Sequence, residues 1–254
     1  MKITLLGTGT SQGIPVIGCN CNSCTSDDPR DDRLRSGILV QSEDANILVD
    51  TGPDLRQQLL KTPIPQLSAV LYTHEHNDHV VGLDDIRPFN FMQRSDIPFY
   101  GLPRVLGDIR NRFAYVFAEN PYPGAPKASL NTIESGQQFS IGSILITPIE
   151  VMHGKLPILG YRFGDFAFIT DASLINEESR RLLKGTKKVV LSALRKEKHH
   201  SHFTLYEAIQ VILDLEVDEA YLTHISHRMG VTSEWEKELP EGIFPAFDGL
   251  VIEL

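Results

Sequence analysis

Leu71-Tyr72-Thr73-His74-Glu75-His76-Asn77-Asp78-His79 sets three histidines and two carboxylates within six residues. The apolar run Leu67 to Tyr72 leads into it and reads as a buried strand ending at the cluster. Neutral imidazoles and carboxylates are the usual ligands of zinc and similar divalent ions. Residues at i and i+2 of an extended chain point the same way, so His74 and His76 can share one metal. Asp78 and His79 follow at once and can serve a second ion close by. A polar loop with accidental histidines is a poor account of so dense a pattern directly after a strand.

Working outward, one cluster does not complete a two-metal site, and three isolated residues stand at strand ends. His153 follows the strand ending at Val151. Asp171 follows the apolar run Phe166 to Thr170, and His224 follows Tyr221-Leu222-Thr223. A lone histidine is usually structural or exposed. Three such residues at strand ends, beside the cluster, argue for a shared site.

The rest of the 254 residues reads as strands and helices in alternation. Strands are expected at Lys2–Leu6, Ser36–Gln41, Asn46–Asp50, Gln138–Ile141, Ser143–Val151, Tyr161–Phe163, Lys188–Ser192, Ala220–Thr223 and Gly249–Glu253. Helices are expected to end near Lys61, to start at Val80, and over Pro103–Phe117, Glu177–Lys184 and Thr204–Leu213. Two strand-rich halves with helices between them imply two packed sheets covered by helices. Residues 87–131 are irregular and aromatic-rich. They read as a lid or substrate wall, or alternatively as core or as the contact of a homodimer. Gly7-Thr8-Gly9-Thr10-Ser11-Gln12-Gly13 is a loop whose backbone can approach something closely, but it lacks the Gly-Lys-Ser/Thr of a Walker loop.

The formal net charge of −9 argues against a nucleic-acid partner, whose affinity would come mostly from Lys and Arg on phosphates. A small phosphate ester in a local basic pocket remains compatible with it. No apolar stretch has the length of a membrane span, so no membrane partner is expected. The start is too short and turns too early into glycine for a signal peptide, which makes the cytoplasm the expected location. Cys19, Cys21 and Cys24 crowd into six residues, a spacing that suits metal ligation better than a disulfide framework.

Taken in order, Asp50, His74-Glu75-His76-Asn77-Asp78-His79, His153, Asp171 and His224 resemble the metallo-β-lactamase superfamily. The resemblance implies an α/β fold, the αββα sandwich, with a dinuclear centre between its sheets. It treats 1–254 as one hydrolase domain with an N-terminal zinc-binding excursion at about 15–35. It assigns His74, His76 and His153 to one metal and Asp78, His79 and His224 to the other, with Asp171 bridging. Asp50 would accept a hydrogen bond from a ligand imidazole and fix its orientation. Two divalent ions roughly 3.5–4 Å apart, zinc or manganese, can hold a hydroxide and clamp attacking and leaving oxygens.

Three thiolates leave a structural zinc one ligand short. His227 in Leu222-Thr223-His224-Ile225-Ser226-His227 is a histidine the dinuclear centre does not use, so a Cys3His zinc site of Cys19, Cys21, Cys24 and His227 is expected. Cys-x-Cys-x2-Cys, Thr-His-Ile-Ser-His, the Gly-Thr-Gly-Thr start and Leu239-Pro240-Glu241-Gly242 with Phe247-Asp248-Gly249 are similar to the PhnP-like phosphoribosyl 1,2-cyclic phosphate phosphodiesterases. Ribonuclease Z is a broader relative. This implies hydrolysis of small cyclic phosphodiesters, of phosphoribosyl cyclic phosphate or cyclic nucleotide type. His202 in His199-His200-Ser201-His202-Phe203-Thr204 matches the general acid of that branch, and Asp78 and Asp171 would act beside it. Arg87, Arg162, Arg195 and Lys196 are further cations for a substrate phosphate. Ribonuclease Z-like RNA processing would want a basic gripping arm that the chain lacks. Lactone or thioester hydrolysis by the same metal pair is the other alternative.

Overall fold

Fourteen short strands form two seven-stranded sheets in the computed structural model, which describes residues 1–254. The first sheet contains β1 (Lys2–Gly7), β2 (Gly37–Gln41), β3 (Asn46–Val49), β4 (Ala69–Leu71), β5 (Ile97–Gly101) and β6 (Ala128–Thr132). The second contains β7 (Phe139–Ile141), β8 (Ile144–His153), β9 (Leu156–Phe163), β10 (Phe166–Ile169), β11 (Lys188–Ser192), β12 (Glu219–Thr223) and β13 (Ile243–Pro245). The last strand, β14 (Val251–Glu253), returns to the first sheet beside β1. Each sheet runs antiparallel on one side and parallel on the other: β3 to β6 in the first, β10 to β13 in the second.

Strand sequences are apolar on both faces because each sheet is covered twice. Ile38, Val40, Ile47 and Val49 face Tyr161, Phe163, Phe166 and Phe168 of the other sheet. Their alternate neighbours Leu39 and Leu48 point outward, to Leu55 of α1 (Leu55–Lys61) and to residues of the following helices. Those helices are α2 (Asn77–Val80), α3 (Arg87–Gln93) and α4 (Pro103–Arg112). The second sheet repeats the pattern. Ala167, Ile169, Val189 and Leu191 point away from the first sheet, onto α5 (Glu177–Leu183) and α6 (Leu205–Leu215). A short α7 (Thr232–Trp235) adds buried Trp235 to that layer. The layering is the αββα sandwich.

Differences from the expected elements have local causes. The helix expected from Val80 to Ile86 starts instead at Asn77 and is interrupted at Gly82, where a Cβ would lie 2.0 Å from the Gly52 carbonyl oxygen. Residues 87–131 are not irregular: they hold α3, β5, α4 and β6. Pro98 inside β5 and the polar sequence of β6 hide those strands from a pattern search. The helix expected over Pro103–Phe117 stops at Arg112. β13, an edge strand carrying Pro245, was likewise not expected.

Candidate metal centre

The proposed ligands come together at one edge of the sandwich, beyond the carboxyl ends of its parallel strands. That is where open α/β sheets collect functional groups. β3 leads into Asp50 and β4 into the His74–His79 loop, while β10 leads into Asp171 and β12 into His224. His153 is the last residue of β8. Two bonds tie the sheets together here: the Leu159 amide donates to the Thr73 carbonyl (3.0 Å) and the Tyr161 hydroxyl to the Tyr72 carbonyl (2.7 Å). Asp50, Asp171 and His224 all adopt left-handed backbone angles, with φ of 65°, 55° and 57°. Such angles are uncommon outside glycine and cluster at functional sites.

The donor atoms fall into two groups that share one carboxylate. His74 Nε2 lies 3.0 Å from His76 Nδ1, and His153 completes a set of three imidazoles within ligating reach. Asp78 Oδ2 lies 3.3 Å from His79 Nε2. Asp171 stands between the groups. Its Oδ2 faces His74 Nε2 at 3.9 Å, while its Oδ1 faces His79 Nε2 at 3.5 Å and His224 Nδ1 at 3.1 Å. One oxygen turned to each group is the geometry a bridging ligand needs.

The surrounding hydrogen bonds set the tautomers. Asp50 Oδ2 accepts from His79 Nδ1 (2.7 Å) and from the Thr73 hydroxyl (2.8 Å). With its proton committed to Asp50, the Thr73 oxygen accepts from His74 Nδ1 (2.9 Å). His153 Nδ1 donates to the Ser201 carbonyl (2.8 Å). His74, His79 and His153 therefore each present an Nε2 lone pair to the cleft. His79 Nε2 is buried and has no hydrogen-bond partner. A buried polar atom left this way is costly unless something binds it, and a divalent cation fits.

Charge points the same way. Burial raises the Asp171 pKa, but His224, His79 and His74 outweigh it and hold the group well below the usual carboxylate range. Burial also opposes Asp78, yet His79 keeps it ionised. Burial keeps His74, His76 and His224 neutral. His79 alone is held well above the usual value: burial favours its neutral ring, but Asp171, Asp50 and Asp78 prevail. The site asks for positive charge among its carboxylates, and the donor set fits divalent metal.

His202 sits on the rim, its ring centre 4.6 Å from that of His153 and 5.0 Å from that of His224. The chain at Phe203 is strapped on both sides, with its amide donating to Ala172 and its carbonyl accepting from Leu194. Burial, then His224, lowers the His202 pKa to about 3. Its Nδ1 is buried without a hydrogen-bond partner. His202 also lies within ligating reach of His153 and Asp171. His200 lines the cavity beside His76 and His153, and His199 lines the one beside His202 and His224.

Cys19, Cys21 and Cys24 surround His227, with sulfurs 3.3, 3.5 and 3.7 Å from its Nδ1. A tetrahedral zinc with ordinary Zn–S and Zn–N lengths would place each sulfur about 3.5 Å from that nitrogen. Burial opposes ionisation of Cys21, but the Cys24 amide, His227 and Cys19 draw its thiol down to about 6. Burial pushes Cys24 up to about 11.

Other residues carry roles that sequence reasoning did not find. Glu75 pairs with Arg104, which also donates to the Pro157 carbonyl (2.6 Å). Asn77 accepts from Arg112 (2.6 Å). Two arginines of α4 thus hold Glu75 and Asn77, the residues that alternate with the proposed ligands His74, His76 and Asp78. Of the cations considered for phosphate, Arg87 bonds to the Gly124 carbonyl, Arg162 to the Leu182 and Lys184 carbonyls, and Lys196 to Glu238. Arg195 does reach a cavity at the site, together with Arg228. Lys155 lines a second cavity beside His76 and His153. A cation one residue past a ligand, as at Arg228, was a signal available in the sequence. No helix is long and apolar enough to cross a membrane.

The beta-lactamase superfamily domain profile matches residues 45–225. A crystal structure of a diphosphatase from the PhnP family is similar over 100% of this chain and 97% of its own, with 36% identity and a TM-score of 0.92. Zinc-bound PqqB from Methylobacterium extorquens shares the fold, with 20% identity and a TM-score of 0.82 over 100% of both chains. An octanoyltransferase of Porphyromonas gingivalis is 41% identical over 252 residues, which are 98% of this chain and 51% of that protein. The chain spans about half the length of the curated relatives it matches. The profile match and the fold together place this chain in the metallo-β-lactamase superfamily.

Proposed function

We propose that this chain is a dinuclear metal-dependent hydrolase of small phosphodiesters, cyclic phosphodiesters foremost. The observation that carries the reading is Asp171 turning one oxygen to each of two donor groups beside a buried, unpartnered His79 Nε2. His74, His76 and His153 would hold one divalent ion, Asp78, His79 and His224 the other, and Asp171 both. Bound there, two ions would supply an activated water and neutralise charge on the phosphoryl oxygens. Zinc and manganese both suit this donor set.

The remaining work belongs to the chain. Asp50 and Thr73 keep the lone pairs of His79 and His74 aimed at the cleft. His202, on the rim beside His153 and His224, would give a proton to the leaving oxygen. Its pKa, lowered by burial and His224, is drawn back up when an anionic phosphate sits beside it, because a neighbouring negative charge favours the imidazolium. The ring would then be charged only in the substrate complex. The Cys3His set would hold a structural zinc that pins the excursion to the loop carrying His224.

The PhnP-family diphosphatase supports phosphorus as the atom attacked. The octanoyltransferase relative raises a second reading, hydrolysis of an acyl thioester or lactone at the same centre. The cavity beside His76 and His153 speaks against it, because Leu156 is the one apolar side chain among its seven lining residues. An octanoyl chain would want an apolar trough. The net charge of −9 also favours a small substrate over RNA. A panel of 2′,3′-cyclic nucleotides, phosphoribosyl cyclic phosphate, an aryl phosphodiester, an octanoyl thioester and a lactone tests the choice. Turnover of the phosphodiesters alone is expected, and turnover confined to the thioester or lactone would overturn the reading.

A further inference from the structure

Glu75 stands in the chain between His74 and His76, two proposed ligands of one ion, and its side chain is only 17% exposed. Arg104 is the one group bonded to its carboxylate, and Oε2 is buried without a partner. The third ligand of that ion, His153, comes from the other sheet, at the end of β8. β9 runs back along β8, with Leu156 opposite His153 and Pro157 opposite Met152. The Arg104 guanidinium joins the two pieces. Its Nη1 pairs with Glu75 and its Nη2 donates to the Pro157 carbonyl (2.6 Å).

The backbone explains why a side chain is needed here. β9 pairs with β10 only over Tyr161–Phe163, so the edge of its first half is open on that side. The chain leaving β4 is bonded to β9 there, through the Tyr161 hydroxyl on the Tyr72 carbonyl and the Leu159 amide on the Thr73 carbonyl. The next amide on that edge would belong to residue 157, and proline has no N–H. Direct backbone contact therefore stops at Thr73, and Arg104 supplies the next link from outside. A planar fork with separate donors can hold two acceptors at once in fixed geometry, which an ammonium group cannot. The fork stands on a fixed base, because Val105, Leu106 and Ile109 bury α4 against the first sheet. Without the guanidinium, a largely buried carboxylate would be left unpaired.

We propose that Arg104 is a positioning residue for one ion of the pair: it keeps His74 and His76, from the first sheet, in register with His153, from the second. The proposal rests on the metal-centre reading and not on the choice of substrate. The ion assigned to Asp78, His79 and His224 lies outside the clamp. His79 is fixed separately, by Asp50 on its ring and by the Thr51 amide on its carbonyl (2.7 Å). An ordinary surface ion pair contributes little, so an effect confined to one ion is what distinguishes the clamp.

Four variants test it: Arg104→Ala, Arg104→Lys, Glu75→Gln and Arg110→Ala. The last removes an exposed charge from the same helix. Anomalous scattering at the zinc edge, from crystals equilibrated with graded zinc, reads occupancy at each position, and thermal unfolding of the metal-free proteins reads the fold. In Arg104→Ala the zinc concentration that half-fills the His74–His76–His153 position is expected to rise roughly tenfold. The other position and the Tm stay unchanged. Glu75→Gln follows the same pattern, Arg104→Lys recovers part of the loss, and Arg110→Ala matches wild type. No loss at either position, or a loss at both that tracks a lower Tm, overturns the clamp. A wild type that takes no zinc at the first position overturns the metal centre and the clamp together. A wild type that fills both positions and hydrolyses no phosphodiester overturns the proposed activity and leaves the clamp standing.

Discussion

Asp50 shows how much of the site depends on a residue that need not touch a metal. It fixes His79 directly and His74 through Thr73, one residue on each proposed metal. Asp50→Asn should therefore weaken binding of both ions by about 10- to 100-fold, the usual cost of losing such a support. Titration of the apo-protein with zinc checks this, and loss at one ion alone would contradict the shared role. His202→Ala should lower kcat on an aryl phosphodiester by about 10²–10⁴-fold with metal content unchanged. Normal turnover in that variant would remove the general-acid role. If metal is lost with the ring, His202 is a ligand instead. Which residues would gather at one place was legible in the sequence because His, Asp and Cys carry their chemistry in the side chain. The left-handed turns at Asp50, Asp171 and His224 were not, since nothing in Asp-Thr-Gly, Asp-Ala-Ser or His-Ile-Ser announces a positive φ.

At the scale of elements, the site is held by caps and clamps. Thr204 begins α6 with a reciprocal capping box: its hydroxyl accepts from the Glu207 amide, and its own amide donates to the Glu207 carboxylate. This fixes the chain two residues after His202. Thr204→Ala should cost about 1 kcal/mol, a fall in Tm of roughly 2–4 °C, read by thermal unfolding. A larger share of lost kcat than of lost stability is expected, because the cap positions His202. The thiolate site is a clamp of another kind. Cys21→Ser should remove one tightly held zinc and loosen a contact whose apparent binding energy is on the order of 10 kcal/mol. Metal analysis and proteolysis within 15–35 check it, and an unchanged zinc count would contradict the site. Regular strands such as β2, β3 and β11 were legible from their apolar runs. Those that carry proline or polar residues, β5, β6 and β13, were hidden because their pairing comes from neighbours far along the chain.

For the molecule as a whole, two sheets of the same design place the ends of their parallel strands on a common edge. The first sheet supplies His74, His76, Asp78 and His79. The second supplies His153, Asp171 and His224. Neither sheet holds a complete candidate set, so the proposed metal centre would exist only when the sandwich is closed. The alternating inward and outward faces of β2, β3, β10 and β11 do that closing, and their apolar character made the layering readable before the structure. The cavities at the rims of that centre are built by loops whose conformation no periodicity encodes. The most direct test of the account is metal content measured together with hydrolysis of an aryl phosphodiester, on intact and chelator-treated protein. The account predicts about three ions per chain, two removed first with complete loss of turnover and restored by zinc or manganese, and one retained by the cysteines. Turnover that persists in protein stripped of the two labile ions would contradict it.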